Sequence, residues 1–119
     1  MNKYSRKPGL CVPVAAAVIL LTGCATQSPP LYQWTGYQPA VYDYLNRGKA
    51  PQEQIDALEN ALEEIQSKGH TPPPGFHAQL GMLYASTGNA ERAMREFGAE
   101  KELFPESAPY MDFLTKKSQ

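Results

Sequence analysis

The sequence predicts an all-α domain of about four to five short helices, set behind an N-terminal export segment. Three observations carry this. Apolar residues recur every three or four positions between Pro51 and Lys68. The same spacing holds on both sides of Gly88 between Phe76 and Ser107. Pro and Gly fall where these runs stop. A chain of 119 residues allows one domain, and 11 basic against 12 acidic side chains give no basic face for nucleic acid.

Lys3, Arg6 and Lys7 form a positive start, and an apolar run from Leu10 to Leu21, broken by Pro13, follows. A run of that length falls short of the roughly 20 residues a spanning helix needs, and has the proportions of a secretory signal. It ends in Leu21-Thr22-Gly23-Cys24, which resembles the bacterial lipobox. The resemblance implies cleavage before Cys24 and lipidation of its thiol and new amino terminus. Acyl chains anchor in proportion to their buried methylenes, so the three chains of a mature lipoprotein hold firmly where one alone is marginal. Ala25 stands where that class carries Asp for inner-membrane retention, which implies the outer membrane and a periplasm-facing domain.

The chain therefore divides into a signal peptide (1–23), a lipidated tether (24–30) and a helical domain (31–119). Removing Lys3, Arg6 and Lys7 from the 11 basic residues leaves 8 against 12 acidic, a formal −4. Cys11 leaves with the signal and Cys24 is consumed by lipid, so no free thiol remains for catalysis or a metal. Ala25 to Pro30 has no apolar period and ends in a Pro pair, which suits a tether.

Tyr32, Trp34, Tyr37, Tyr42 and Tyr44 place five aromatics within thirteen positions. Trp34 to Tyr37 reads as a turn, and Pro39 suits the first position of a helix running to about Arg47. Val41 and Leu45 are expected on one face of it, with Tyr44 beside them and Tyr42 on a neighbouring stripe. Most of these side chains are expected to fill a thin core. Trp34 and Tyr37, in the turn, are the candidates for exposure and for partner contact, a role in which Trp and Tyr are enriched; contact with the membrane interface is a further role open to them.

Pro51 opens the next helix, with Ile55, Leu58, Leu62 and Ile65 on one face, Ala57 and Ala61 filling in, and Glu53, Asp56, Glu59, Glu63 and Glu64 on the others. Gly69 and Pro72-Pro73-Pro74 stop it. The third helix carries Phe76, Leu80, Leu83 and Tyr84; Gly88 ends it and Asn89 caps the fourth, which presents Ala90, Ala93, Met94, Phe97 and Phe104. Gly81 and Ala93 are small enough for close approach. After Pro105, Ser107 is expected to cap a last helix with Tyr110, Phe113 and Leu114 on one face, a terminal cap for the domain, before a frayed polar tail.

Leu80, Gly81, Tyr84, Gly88, Ala93, Phe97 and Pro105 together resemble a tetratricopeptide repeat, a helix–turn–helix unit of about 34 residues. His77 stands where the repeat prefers Trp, and Glu100 where it prefers Ala. The helical face near Glu100 is therefore expected to open toward solvent or a partner. One repeat cannot bury its own apolar face, so Tyr42 to Ile65 is read as a degenerate first repeat, with Ala57 standing 36 residues before Ala93.

The mature chain as a whole is similar to a family of small bacterial lipoproteins that carry a domain of unknown function. The resemblance rests on the lipobox, Tyr32 to Tyr37, the Glu-rich helix, the PPPGFHAQLGMLY stretch at Pro72 to Tyr84, and the EKELFPES and MDFL segments near the end. Members of that family are typically encoded beside a CsgG-like outer-membrane lipoprotein and a second small lipoprotein, which implies a shared envelope assembly and no established activity.

The leading expectation is a non-enzymatic accessory lipoprotein that binds another envelope protein, through Trp34 and Tyr37 and a groove around His77, Tyr84 and Glu100. An envelope hydrolase or metal enzyme is the alternative. Against it, His70 and His77 are the sole histidines, no HExxH or GxSxG pattern occurs, and no cofactor motif is present. A zinc ion held by His70, His77 and a carboxylate is its most concrete form. A purely structural, self-associating lipoprotein is the third reading, and the oligomeric state is open.

Overall fold

The structure, a computed structural model, describes residues 28–118. The signal segment and Cys24 lie outside the described residues. Chain direction is set at Gly36, whose φ of 72° closes a turn in which the Tyr37 N–H donates to the Trp34 carbonyl at 3.2 Å. Helix α1 (Tyr37–Asn46) starts there, two residues earlier than Pro39 implied. Proline is tolerated throughout a first turn because those N–H groups have no intrahelical partner. Helices α2 (Pro51–Ser67), α3 (Phe76–Ser86) and α4 (Ala90–Leu103) follow. A 3-10 turn (Pro105–Ser107) then leads into α5 (Ala108–Lys117). All regular structure among the described residues is helical.

Local chemistry places most boundaries as the sequence implied. Pro51 stands at the start of α2 and Lys68-Gly69 at its end. Gly88, with φ of 80°, turns the chain after α3, and the Asn89 side chain accepts from the Arg92 N–H at 3.2 Å to cap α4. Ser107 behaves differently from the expected cap: its hydroxyl donates back to the Phe104 carbonyl at 2.7 Å, which fastens the 3-10 turn to the end of α4.

The core lies between the α3–α4 hairpin and α2. Ile55, Leu58 and Ile65 of α2 meet Phe76, Leu80 and Leu83 of α3, while Ala93 and Phe97 close the other side. Burying such side chains contributes roughly 1.5–3 kcal/mol each. The repeat-like residues occupy the positions their pattern implied: Gly81 faces the Phe97 ring so closely that a Cβ would lie 2.5 Å from Cε1. The degenerate-repeat expectation fails at Ala57, which is exposed; Ala61 is the small residue that α2 buries.

The two terminal helices bury other faces than expected. In α1, Ala40 is buried and Tyr37 packs on the core, but Leu45 is 73% exposed and Tyr42 and Tyr44 also face outward. In α5, Met111 is buried at 1% exposure, with Leu114 half-buried beside the core. Tyr110 and Phe113 stand outside, stacked with ring centroids 6.4 Å apart. A ten-residue helix resting on one side of a core has room for only two or three inward positions. Where more than one stripe is apolar, the neighbours decide which is used.

Upstream of α1, the chain from Leu31 crosses the ends of other elements. Tyr32 meets Phe104 edge-on at 5.7 Å, and the Gln33 N–H donates to the Thr71 carbonyl at 3.0 Å. These two contacts fix the segment before α1 against the loop that precedes α3 and the end of α4.

Candidate functional site

The residues that the sequence singled out divide into a buried cap around Glu100, a buried Tyr84 ring held by exposed charged partners, and one exposed ring. Glu100 is 2% exposed, which overturns the expectation of an opened face. Its carboxylate accepts from the Gly75 N–H at 2.6 Å and the Ala78 N–H at 3.3 Å, at the first turn of α3. Those donors have no partner within the helix, and Gly75 has no side chain to cap it. Gly75 also admits the Tyr37 hydroxyl: a Cβ there would lie 2.5 Å from that oxygen, and φ is 90°. Burial, and then the nearby Glu100 charge, raise the Tyr37 phenol above its ordinary range.

His77 is buried beside this cap. Its Nδ1 is 2.7 Å from Glu96 Oε2 and its ring meets Phe76 edge-on at 6.1 Å. His70 is exposed on the loop. Among the described residues no group of three or more His, Cys, Asp or Glu side chains is placed to hold a metal ion.

Tyr84 is buried as well and closed over. Its hydroxyl donates to Glu59, and Arg92 Nη1 donates to Glu59 at 2.9 Å and to the Tyr84 oxygen at 2.6 Å. The Arg92 guanidinium lies 5.2 Å from the ring centroid. Burial and then the Glu59 hydrogen bond raise the Tyr84 phenol. This cluster ties α2, α3 and α4 together. His77, Tyr84 and Glu100 therefore do not form an accessible groove, and Tyr37 is half-buried against Phe76 at 5.7 Å. Of the five candidates, Trp34 remains open, at 48% exposure.

The concave surface lies elsewhere, on both sides of Tyr44. One trough of about 500 Å³ runs between α1, the start of α2 and α3, lined by Leu45, Pro51 and Leu83, with Arg47, Lys49 and Gln54 around them. A second, of about 570 Å³, is lined by Met82, Ala85, Phe97 and Leu114, with Lys117 at the end of α5. Tyr44 and Ser86 belong to both. Volumes of this order suit a few side chains of a ligand. Gln54 is buried; its Nε2 donates to the Lys49 carbonyl at 2.8 Å, while its Oε1 has no partner among the described residues. Lys49 pairs with Asp43 at 2.8 Å, and that hydrogen bond and charge raise its ammonium above the usual range.

Tyr44, Leu45 and Met82 were not among the expected contact residues. For Tyr44 and Leu45 the signal in the sequence was aromatic and apolar side chains around Asp43, with Arg47 and Lys49 just beyond Asn46. Those side chains were assigned to the core.

Comparison with known families places the chain. Residues 31–114 match a family described as a domain of unknown function (DUF4810). The chain belongs to that family. The match covers α1 to α4 and most of α5, so both clusters and the Tyr44 troughs lie largely within the family domain. No curated protein and no solved structure matches the chain.

Proposed function

We propose that this protein is a non-enzymatic accessory lipoprotein of the bacterial outer membrane, anchored through Cys24 and facing the periplasm, whose helical domain binds another envelope protein. The partner class we assign is a CsgG-like assembly or secretion lipoprotein, following the family resemblance of the sequence. The observation that carries the binding role is the pair of troughs joined at Tyr44, where four helices leave apolar and aromatic side chains uncovered. Tethering beside the same membrane raises the effective concentration of such a partner, so modest contacts suffice. The membrane role rests on Leu21 to Cys24; among the described residues no helix is long and apolar enough to cross a membrane.

Purification of the full chain from envelopes, intact and as Tyr44→Ala/Leu45→Ser, tests the binding role. The partner is expected to copurify with the first and to be lost from the second at unchanged helical circular dichroism. Retention of the partner by the double variant would remove the troughs from consideration. Cys24→Ala is expected to release the chain from the membrane fraction and to abolish acyl labelling.

Self-association is a second reading, favoured by the exposed Tyr110–Phe113 stack. A mass measurement on the purified chain, with and without Phe113→Ser, separates it from the first.

A further inference from the structure

The charged side chains that line the two troughs all have one sign. Arg47, Lys49 and Lys117 line them, and among the described residues no Asp or Glu does. The domain as a whole leans the other way: without Lys3, Arg6 and Lys7, 8 of its 11 basic residues remain against 12 acidic. Lys49 is matched by Asp43, whereas Arg47 and Lys117 have no ion-pair partner among the described residues. One unmatched cation thus stands in each trough, with the Tyr44 ring where the two troughs meet.

Arg47 carries a second mark. Its φ of 52° is the left-handed conformation normally given to Gly at a helix end, and it is the one non-Gly residue with positive φ among the described residues. Gly48 follows immediately, so a glycine was within one position of the site that needs it. Residues held in such sparsely populated conformations cluster at active sites and ligand clamps.

We infer that the occupant of the Tyr44 troughs is an acidic segment of the partner. It carries carboxylates toward Arg47 and Lys117 and an apolar side chain onto Tyr44, Leu45 and Met82. This rests on the troughs being the docking surface and adds the chemistry of what docks. Opposite charge around an apolar centre selects the partner and speeds encounter, while burial of the centre holds it. The acidic remainder of the domain repels the same segment from other faces.

The test uses the full chain in neutral-lipid nanodiscs and two dye-labelled decapeptides, one alternating Glu and Leu, the other Lys and Leu, followed by fluorescence anisotropy. The Glu–Leu peptide is expected to bind at least about tenfold more tightly than the Lys–Leu peptide, and to weaken as salt rises. Arg47→Gly, which suits the left-handed backbone and keeps the fold, and Lys117→Ala are each expected to weaken it about threefold. Equal or tighter binding of the Lys–Leu peptide, or no binding of the Glu–Leu peptide, overturns the inference. Copurification of the native partner keeps the two readings apart. A partner lost on Tyr44→Ala but retained by Arg47→Gly/Lys117→Ala leaves docking in place and removes its acidic chemistry. A partner retained by both variants removes both.

Discussion

The Glu100 carboxylate on α4 accepts a 2.6 Å hydrogen bond from the backbone N–H of Gly75, which opens α3. A capping role usually supplied by the first residue of a helix is here supplied from across the hairpin. The arrangement locks the two helices in register, because Glu100 also reaches the Ala78 N–H. It also places a negative charge at the positive end of the α3 dipole.

Glu100→Ala is therefore expected to cost about 3 kcal/mol, since it leaves buried donors unpaired. Glu100→Gln retains one acceptor but brings an NH₂ toward backbone N–H groups, and is expected to cost about half as much. Urea unfolding followed by circular dichroism measures both. Unchanged midpoints would mean that the face is open after all.

Two glycines on the hairpin give opposite expectations. At Gly81 a Cβ would lie 2.5 Å from Phe97 Cε1 and 3.2 Å from the Ala93 carbonyl, whereas at Gly98 it would meet nothing within 4 Å. Gly81→Ala is expected to destabilise by about 2 kcal/mol through overpacking. Gly98→Ala, in a helix interior, is expected to stabilise by about 0.5–1 kcal/mol. Thermal melting of the two variants side by side decides it, and a shift of the same sign in both would refute the close approach.

On α5 the contrast is between Met111 and Phe113, two residues apart. Met111→Ala is expected to cost about 3 kcal/mol as a cavity in the core. Phe113→Ala, at 57% exposure, should cost less than about 1 kcal/mol. The reverse order would place Phe113, not Met111, against the core.

Tyr37 and Tyr84 link stability to alkaline pH. Both phenols are raised from 10.0, first by burial, so the folded state holds their protons more tightly than the unfolded chain does. Their contribution is complete below about pH 10 and is lost as pH rises from there through the folded values. The urea midpoint is expected to fall as pH rises above about 10, and to fall less steeply in Tyr37→Phe/Tyr84→Phe. Parallel slopes in the two proteins would contradict the burial of these hydroxyls.

Much of the helical framework was legible before folding. Pro51, Gly69, Gly88 and Asn89 act through local backbone chemistry, and the three- and four-residue spacing of Ile55, Leu58, Leu62 and Ile65 defines a face by itself. The site was much less legible. His77 and Glu100 stood out as departures from a repeat pattern, and polarity at those places suggested exposure. Their partners, Glu96 and the Gly75 and Ala78 N–H groups, lie 19 to 25 residues away and satisfy them inside. A linear pattern cannot anticipate such pairing.

The sequence by itself determined the helical class, the hairpin around Gly88 and most helix limits, because propensity, capping and periodicity act within a few residues. Only the tertiary structure decided which stripe of α1 and α5 turns inward, since Leu45 and Ala40, or Phe113 and Met111, compete for one small core whose shape α3 and α4 set. That decision left Tyr44 and Leu45 outside, beside Arg47, and so made the troughs. It also turned Glu100 from a presumed opening into the residue that closes α3, because a buried carboxylate is stable only where donors already point at it.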